Sequence, residues 1–140
     1  MKLLEFTHEK EPAVNRKLFG LLGEYATNSS IREKLGGFIS SEPGRRWFIA
    51  TVNRGSRVVA FGSLRFRTAG ADLLHLYALD AGKEIPVLER CIEVAREAGA
   101  KRLVATDYTM RQDVYMKYGF RPARENGRFV RLEMEMQDDR

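Results

Sequence analysis

The stretch ADLLHLYALDAGKEIPVLERCIEVAREAGAKRLVATDYTMRQDVYMKYGF, from Ala71 to Phe120, decides the fold. Ala71 to Leu79 is apolar enough for a buried strand, Asp80 to Glu84 is a short loop, and Ile85 to Ala98 repeats its apolar residues at helical spacing. Lys101 to Asp107 reads as a second strand and Met110 to Tyr118 as a short helix closing on Gly119-Phe120. A strand, a crossover helix and a second apolar strand predict two parallel neighbours with the helix packed on one face. The loop after the first strand then opens at the carboxyl end of a strand and the amino end of a helix, where α/β proteins commonly take anionic ligands.

The helix supports this reading in detail. Ile85, Leu88, Ile92 and Ala95 form an inward stripe, widened by Cys91 and Ala98, while Glu89, Arg90, Glu93 and Glu97 face outward. Pro86 is tolerated only in the first turn, which sets the helix start at Lys83 or Glu84, and Gly99 ends it. Upstream, Lys2 to Thr7 reads as a first strand and Val14 to Tyr25 as an amphipathic helix. Asn28-Ser29-Ser30 caps a second short helix that runs through Ile31 and Leu35 and extends to Phe38, interrupted by Gly36-Gly37, whose glycines make the segment a candidate mobile wall. Trp47 to Val52 and Val58 to Arg67 form a hairpin about Asn53 to Ser56, the second strand carrying Val59, Phe61, Ser63, Arg65 and Arg67 on one face. Downstream, Arg128 to Met136 is the return strand of a last hairpin turning at Asn126-Gly127.

One domain over residues 1–136, with a frayed tail at 137–140, accommodates all of this, since 140 residues suffice for a single core. The lone cysteine, Cys91, falls on the apolar side of the helix and reads as a buried thiol, so no disulfide framework is expected. No His/Cys spacing suggests a metal, and two histidines offer no Ser/His/Asp arrangement. The first ten residues break into charge too early for a signal peptide, and no apolar run reaches membrane-spanning length. A cytoplasmic protein without a membrane partner is expected. Twenty-four Lys+Arg against 19 Asp+Glu give a formal charge of +5, and the arginines gather at positions 45 to 67 and 121 to 131. Such clusters can meet phosphates; solvated surface charge is the competing reading.

The order β-α-α-β-β-β-α-β-α-β, the strand Leu74 to Asp80, the junction Glu97 to Leu103 and the closing Tyr115-x-x-x-Gly119-Phe120 together resemble the GNAT superfamily of N-acetyltransferases across nearly the whole chain. The resemblance implies a mixed, largely antiparallel α/β (α+β) sheet with flanking helices, whose parallel strands splay at their carboxyl ends beside Tyr115. It implies that acetyl-CoA is held by Tyr77, Ala78 and Leu79 at the strand end and by Gly82, Lys83, Glu84 and Ile85 at the helix start. The amide near Leu79 would serve the thioester carbonyl, and Tyr115 would protonate the departing sulfur. The family usually follows this strand with Gln/Arg-x-x-Gly-x-Gly/Ala; here Asp80 to Pro86 is shorter, keeps only Gly82, and places Glu84 where a diphosphate would sit. Acetyl-CoA is therefore expected to bind more weakly than in a relative with the full loop.

For the chemistry, His75 shares a face with Leu73 and Tyr77 if the strand is regular, and a near-neutral pKa suits a general base. A satisfied buried histidine is the competing reading for His75, and a helix-end aromatic packed on the sheet for Tyr115. Asp72 and Asp107 are further candidate bases, and His8 reads as solvated surface. Three function classes follow. The first is an acetyl-CoA-dependent N-acyltransferase acting on a small-molecule or macromolecular amine. The second is a protein of the same fold acting on a DNA base or aminoacyl-tRNA through Arg65, Arg67, Arg124 and Arg128. The third is a binding module that has lost the coenzyme site. Coenzyme A binding separates the first from the third, and salt-sensitive nucleic-acid binding marks the second. A homodimer is left open.

Overall fold

A computed structural model describes residues 1–136, so the tail at 137–140 lies outside the described residues. Strands β1 (Lys2–Thr7), β2 (Arg46–Val52), β3 (Arg57–Phe66), β4 (Gly70–Ala78), β5 (Arg102–Tyr108), β6 (Arg121–Asn126) and β7 (Phe129–Glu135) form one sheet in the order β1-β2-β3-β4-β5-β7-β6. Every pairing is antiparallel except β4 with β5, as the crossover reading requires. Helices α1 (Arg16–Ala26) and α2 (Ser29–Leu35) cover one face, packing Leu18, Leu22 and Ile31 on Trp47, Ile49 and Phe61. On the other face lie α3 (Glu84–Glu97) and α4 (Gln112–Met116), with Leu88, Cys91 and Tyr115 against Phe48, Leu73 and Leu103. In β2, Trp47 and Ile49 take one side and Phe48 and Ala50 the other, the alternation of a strand buried on both faces.

Local chemistry accounts for the element ends. Helix α3 begins at Glu84 with Pro86 in its first turn, where a missing amide proton is harmless. Val87 and Val94 join its buried side, while Ala98 falls past its end and is exposed. The last hairpin turns one residue later than expected. Asn126 still pairs with Phe129, and Gly127, at φ +63°, opens the Gly127-Arg128 turn. A positive φ at the first turn position suits the twist of an antiparallel pair, and glycine takes it without steric cost.

The wall formed by α2 is tied to the sheet by specific contacts. Asn28 caps the helix, its side chain accepting from the Ile31 amide at 3.1 Å, and Gly36 closes it at φ +80°. A Cβ on Gly36 would lie 2.5 Å from the Phe129 ring, which stacks on Tyr108, whose hydroxyl donates to the Glu33 carbonyl. The end of α2 is thereby locked onto β5 and β7, and Phe38, expected to extend the helix, lies beyond it, exposed. Gly36→Ala is expected to lower stability by about 1–2 kcal/mol from the left-handed backbone alone, with displacement of the Phe129 ring adding to that. Gly37→Ala, whose Cβ meets nothing within 4 Å, is the control. Thermal unfolding of the two variants checks this; equal melting temperatures would contradict it.

Candidate active site

The sheet opens where its parallel pair ends. β4 and β5 stay in register from Gly70↔Arg102 to Leu73↔Ala105, then pairing stops, although β4 runs on to Ala78 and β5 to Tyr108. The cause is a β-bulge. Phe61 faces Tyr77 and Ser63 faces Leu74, so Gly62 stands opposite both His75 and Leu76, and His75 takes φ +59°. A Cβ at Gly62 would come within about 3.0 Å of Val87 and 3.1 Å of Leu76, so glycine is what lets α3 and the bulge close over this point.

Beyond the bulge β4 stays with β3, for the amides of Leu79 and Asp80 both donate to the Val59 carbonyl, at 2.8 and 3.2 Å. Successive peptide groups of a strand face opposite edges, so the Ala78 amide and the Leu76 carbonyl face the gap left by β5. That gap is a cleft of about 990 Å³. Tyr77, Ala78 and Leu79 form one wall, Tyr108, Thr109 and Arg111 the other, and Gly82 and Glu84 stand at the α3 end. Glu33 and Lys34 of α2 and Glu125 and Arg128 of the last hairpin make the rim.

Arg111 spans the floor. Its guanidinium lies 3.3 Å from the Asp107 carboxylate and donates to the Leu76 carbonyl at 3.4 Å, joining the two splayed strands. Asp107 is buried and also accepts from the Tyr115 hydroxyl at 2.6 Å and from the Tyr108 amide at 2.7 Å. Burial raises the Asp107 carboxyl above its usual range, outweighing Arg111 and the hydrogen bonds that favour its ionised form. Burial, and then the neighbouring Asp107, push the Tyr115 phenol well above its ordinary value.

These contacts revise several sequence expectations. Tyr115 does not line the cleft; it is 2% exposed and its proton is committed to Asp107, so it is not placed to protonate a departing sulfur. His75 does not share a face with Leu73. The bulge turns it to the side of Tyr77, where it stacks on Trp47 at 5.9 Å and its Nε2 accepts from the Ser40 amide at 3.2 Å. Burial first, and the Arg45 charge second, push its pKa down to about 4. A neutral imidazole with its lone pair already engaged is a structural histidine, not a base. Leu79 cannot offer its amide to a carbonyl because β3 uses it; Ala78 is the residue whose amide faces the cleft.

Of the helix-start group, Gly82 and Glu84 line the cleft and Lys83 and Ile85 do not. The amides of Lys83 and Ile85 already close turns onto the carbonyls of Asp80 and Gly82, at 3.1 and 3.3 Å. Asp72 sits at the far end of β4, bound by Arg65 and Arg67. Arg128 stands at the cleft end of the sheet, and Arg124 lies on edge strand β6, with β4, β5 and β7 between it and β3. The four arginines therefore do not form one face. His8 is half-buried, its Nδ1 within 2.7 Å of the Ser41 hydroxyl, rather than solvated. Cys91 is buried, and its thiol is raised by that burial. Arg111 was missed in the sequence; its one signal there is the four-residue step from Asp107 across a strand end. Among the described residues no group of three or more His, Cys, Asp or Glu is placed to hold a metal ion, and no helix is long and apolar enough to cross a membrane.

No family model and no curated protein sequence matches this chain. Solved structures do. Escherichia coli ElaA superposes with a TM-score of 0.71 at 13% identity, over 96% of this chain and 99% of that one. The PaiA N-acetyltransferase of Thermoplasma acidophilum, in complex with coenzyme A, gives 0.69 at 16% identity, over 96% and 99%. The GNAT domain of PAT from S. lividans gives 0.62 at 18% identity, over 94% and 89%. At these identities the likeness is one of fold.

Proposed function

We propose that this chain, which has the GNAT fold, is an N-acyltransferase that moves an acetyl group from the thioester of acetyl-CoA to an amine. The observation that carries the proposal is the open edge of β4. Ala78 lines the cleft with no strand to pair its amide and carbonyl, while the neighbouring Leu76 carbonyl accepts from Arg111. An extended, amide-bearing thioester arm can pair with such an edge as an added strand does.

The reaction needs little more than this wall supplies. A neutral amine nitrogen forms the new C–N bond, the C–S bond breaks, the amine loses a proton and the thiolate gains one. Negative charge develops on the carbonyl oxygen meanwhile. The Ala78 amide and the Arg111 guanidinium, which already touches the neighbouring Leu76 carbonyl, are fixed donors for that charge. Asp107 and, through it, Tyr115 hold Arg111 in place. Tyr115 is thus a positioning residue. Glu33 and Glu125 at the rim can take the amine proton through water. A thiol with a pKa near ~8.5 needs no dedicated acid to leave, and water can protonate it.

The test is acceptor-dependent thiol release from acetyl-CoA with a panel of primary amines. Wild-type protein is expected to release thiol with at least one of them. Arg111→Ala is expected to lower kcat by about 10²–10³-fold, as the loss of a fixed oxyanion donor does, with KM little changed. Tyr115→Phe is expected to lower kcat less and to cost about 1–3 kcal/mol of stability, because the buried Asp107 loses a donor. Wild-type turnover by Arg111→Ala would remove this residue from the mechanism.

A further inference from the structure

The hairpin of β6 and β7 carries a charge pattern that the sheet does not need for its own stability. Arg124 stands directly opposite Arg131, which in turn stands opposite Thr106 on β5. In the adjacent pair Glu125 faces Val130, and Val130 belongs to the core beneath α3 and α4, so by alternation Arg124, Arg131 and Thr106 face the side of α2. All three are exposed there. Like charges directly opposite repel. An edge strand gains protection from charge, and Arg124 with Pro122 gives β6 that, but protection does not call for a second arginine on the inner strand β7. Among the described residues Arg131 meets only Glu133, at 3.7 Å, and Arg124 and Arg128 form no ion pair. Arg65, Arg67 and Arg102, by contrast, are answered by Asp72, Glu133 and Glu135.

An open aromatic ring stands on the same side. From Gly36, against the Phe129 ring of β7, the chain runs to Ser40, whose amide donates to His75 of β4, and so crosses the outer face of β5 with Phe38 midway. Phe38 is 72% exposed, with the Arg32 guanidinium 4.8 Å from its ring centroid. Phe129 and Arg131, two residues apart on β7, share that side, so the ring and the arginines belong to one surface. Arg128, in the turn, carries this surface to the cleft rim, which Glu33 and Glu125 also line. Unanswered arginines beside an open ring suit single-stranded nucleic acid, with phosphates on the guanidiniums and an unpaired base on the ring. An acidic peptide would use the charges and leave the ring idle. We infer that this face binds single-stranded nucleic acid and leads it to the cleft. The binding stands apart from the acyltransferase reading; that the bound chain carries the acceptor amine rests on it.

Fluorescence anisotropy of the full chain with labelled oligouridylate and oligothymidylate of about 12 nucleotides tests this, and both are expected to bind. With three arginines on phosphates, affinity should fall about twentyfold between about 50 and 200 mM salt. The double variant Arg124→Gln/Arg131→Gln should bind about tenfold or more weakly at the lower salt and lose only about threefold over the same range. Phe38→Ala should weaken binding about tenfold, the loss of one stacked base, with the salt dependence kept. Arg67→Gln, whose charge Asp72 already holds, should bind as the wild type does. All four positions are exposed, and unchanged melting temperatures establish that the variants fold. No binding at about 50 mM salt with protein at about 100 µM, or binding that the double variant keeps, would overturn the inference. Polyglutamate displacing the oligonucleotide equally from wild-type and Phe38→Ala protein would also overturn it, in favour of an acidic partner. None of these outcomes touches the acyltransferase reading, which thiol release tests.

Discussion

Lowering the pH from 6.5 to 4 is expected to cost the folded protein about 3 kcal/mol through His75 alone, the free-energy equivalent of a pKa pushed down from 6.5 to about 4. The sign follows from which form each state prefers. The unfolded chain takes up a proton on this imidazole near its ordinary value, whereas the folded chain resists it, because the ring is stacked on Trp47 away from water and faces the Arg45 guanidinium. Stability from His75 is therefore complete above the ordinary histidine value and is lost as the pH falls through the folded one. The Ser40 amide and the Glu42 carboxylate act the other way and Arg65 the same way, all more weakly than burial. His75→Asn, which tolerates the left-handed backbone of the bulge, removes the titration and keeps the turn. Denaturant unfolding at pH 7 and pH 4 checks the point. The wild-type protein should lose about 3 kcal/mol more than the variant between the two, and equal losses would contradict it.

Glu42→Ala is expected to be more damaging still, at about 3–5 kcal/mol, because it strands a buried charge. Arg45 is 1% exposed, and it donates to both carboxylate oxygens of Glu42 at 2.9 and 2.8 Å, to the Ser40 carbonyl at 3.1 Å and to the Ser63 hydroxyl at 3.0 Å. Ser63 in turn donates to the Leu74 carbonyl beside the bulge, and Ser41 accepts from the Trp47 indole. The segment from Ser40 to Arg45 is thus a strap that holds the back of the bulge. Its two charged ends are not equivalent. Glu42 is 43% exposed, so Arg45→Met leaves a carboxylate that water can solvate, and it should cost less than Glu42→Ala. The double variant should recover part of the loss. Denaturation of the three proteins measures this; a Glu42→Ala protein within about 1 kcal/mol of the wild type would contradict it.

Local chemistry made much of the fold legible. Pro86 located the start of α3, Asn28 capped α2 as its type suggests, and the strand-helix-strand run fixed the one parallel pair. What failed was what depends on irregularity or on distant partners. The face of His75 was read from strict alternation, and a bulge set by Gly62 on another strand reverses it. Tyr115 was read from its place at a helix end, but its role depends on Asp107, eight residues earlier on a different element. The amides of Lys83 and Ile85 looked available because turn hydrogen bonds leave no mark in a short polar loop. Arg111 carried no motif and acquires its position only when β4 and β5 part.

That the parted strands form the donor site is tested most directly by titrating acetyl-CoA into ¹⁵N-labelled protein and following the backbone amides. Saturating shifts are expected at Ala78, Gly82, Thr109 and Arg111, which line the cleft, with Asp72 at the other end of β4 and its partner Arg65 on β3 unmoved. No shifts at millimolar acetyl-CoA, or shifts confined to the arginines of β3 and β6, would contradict it.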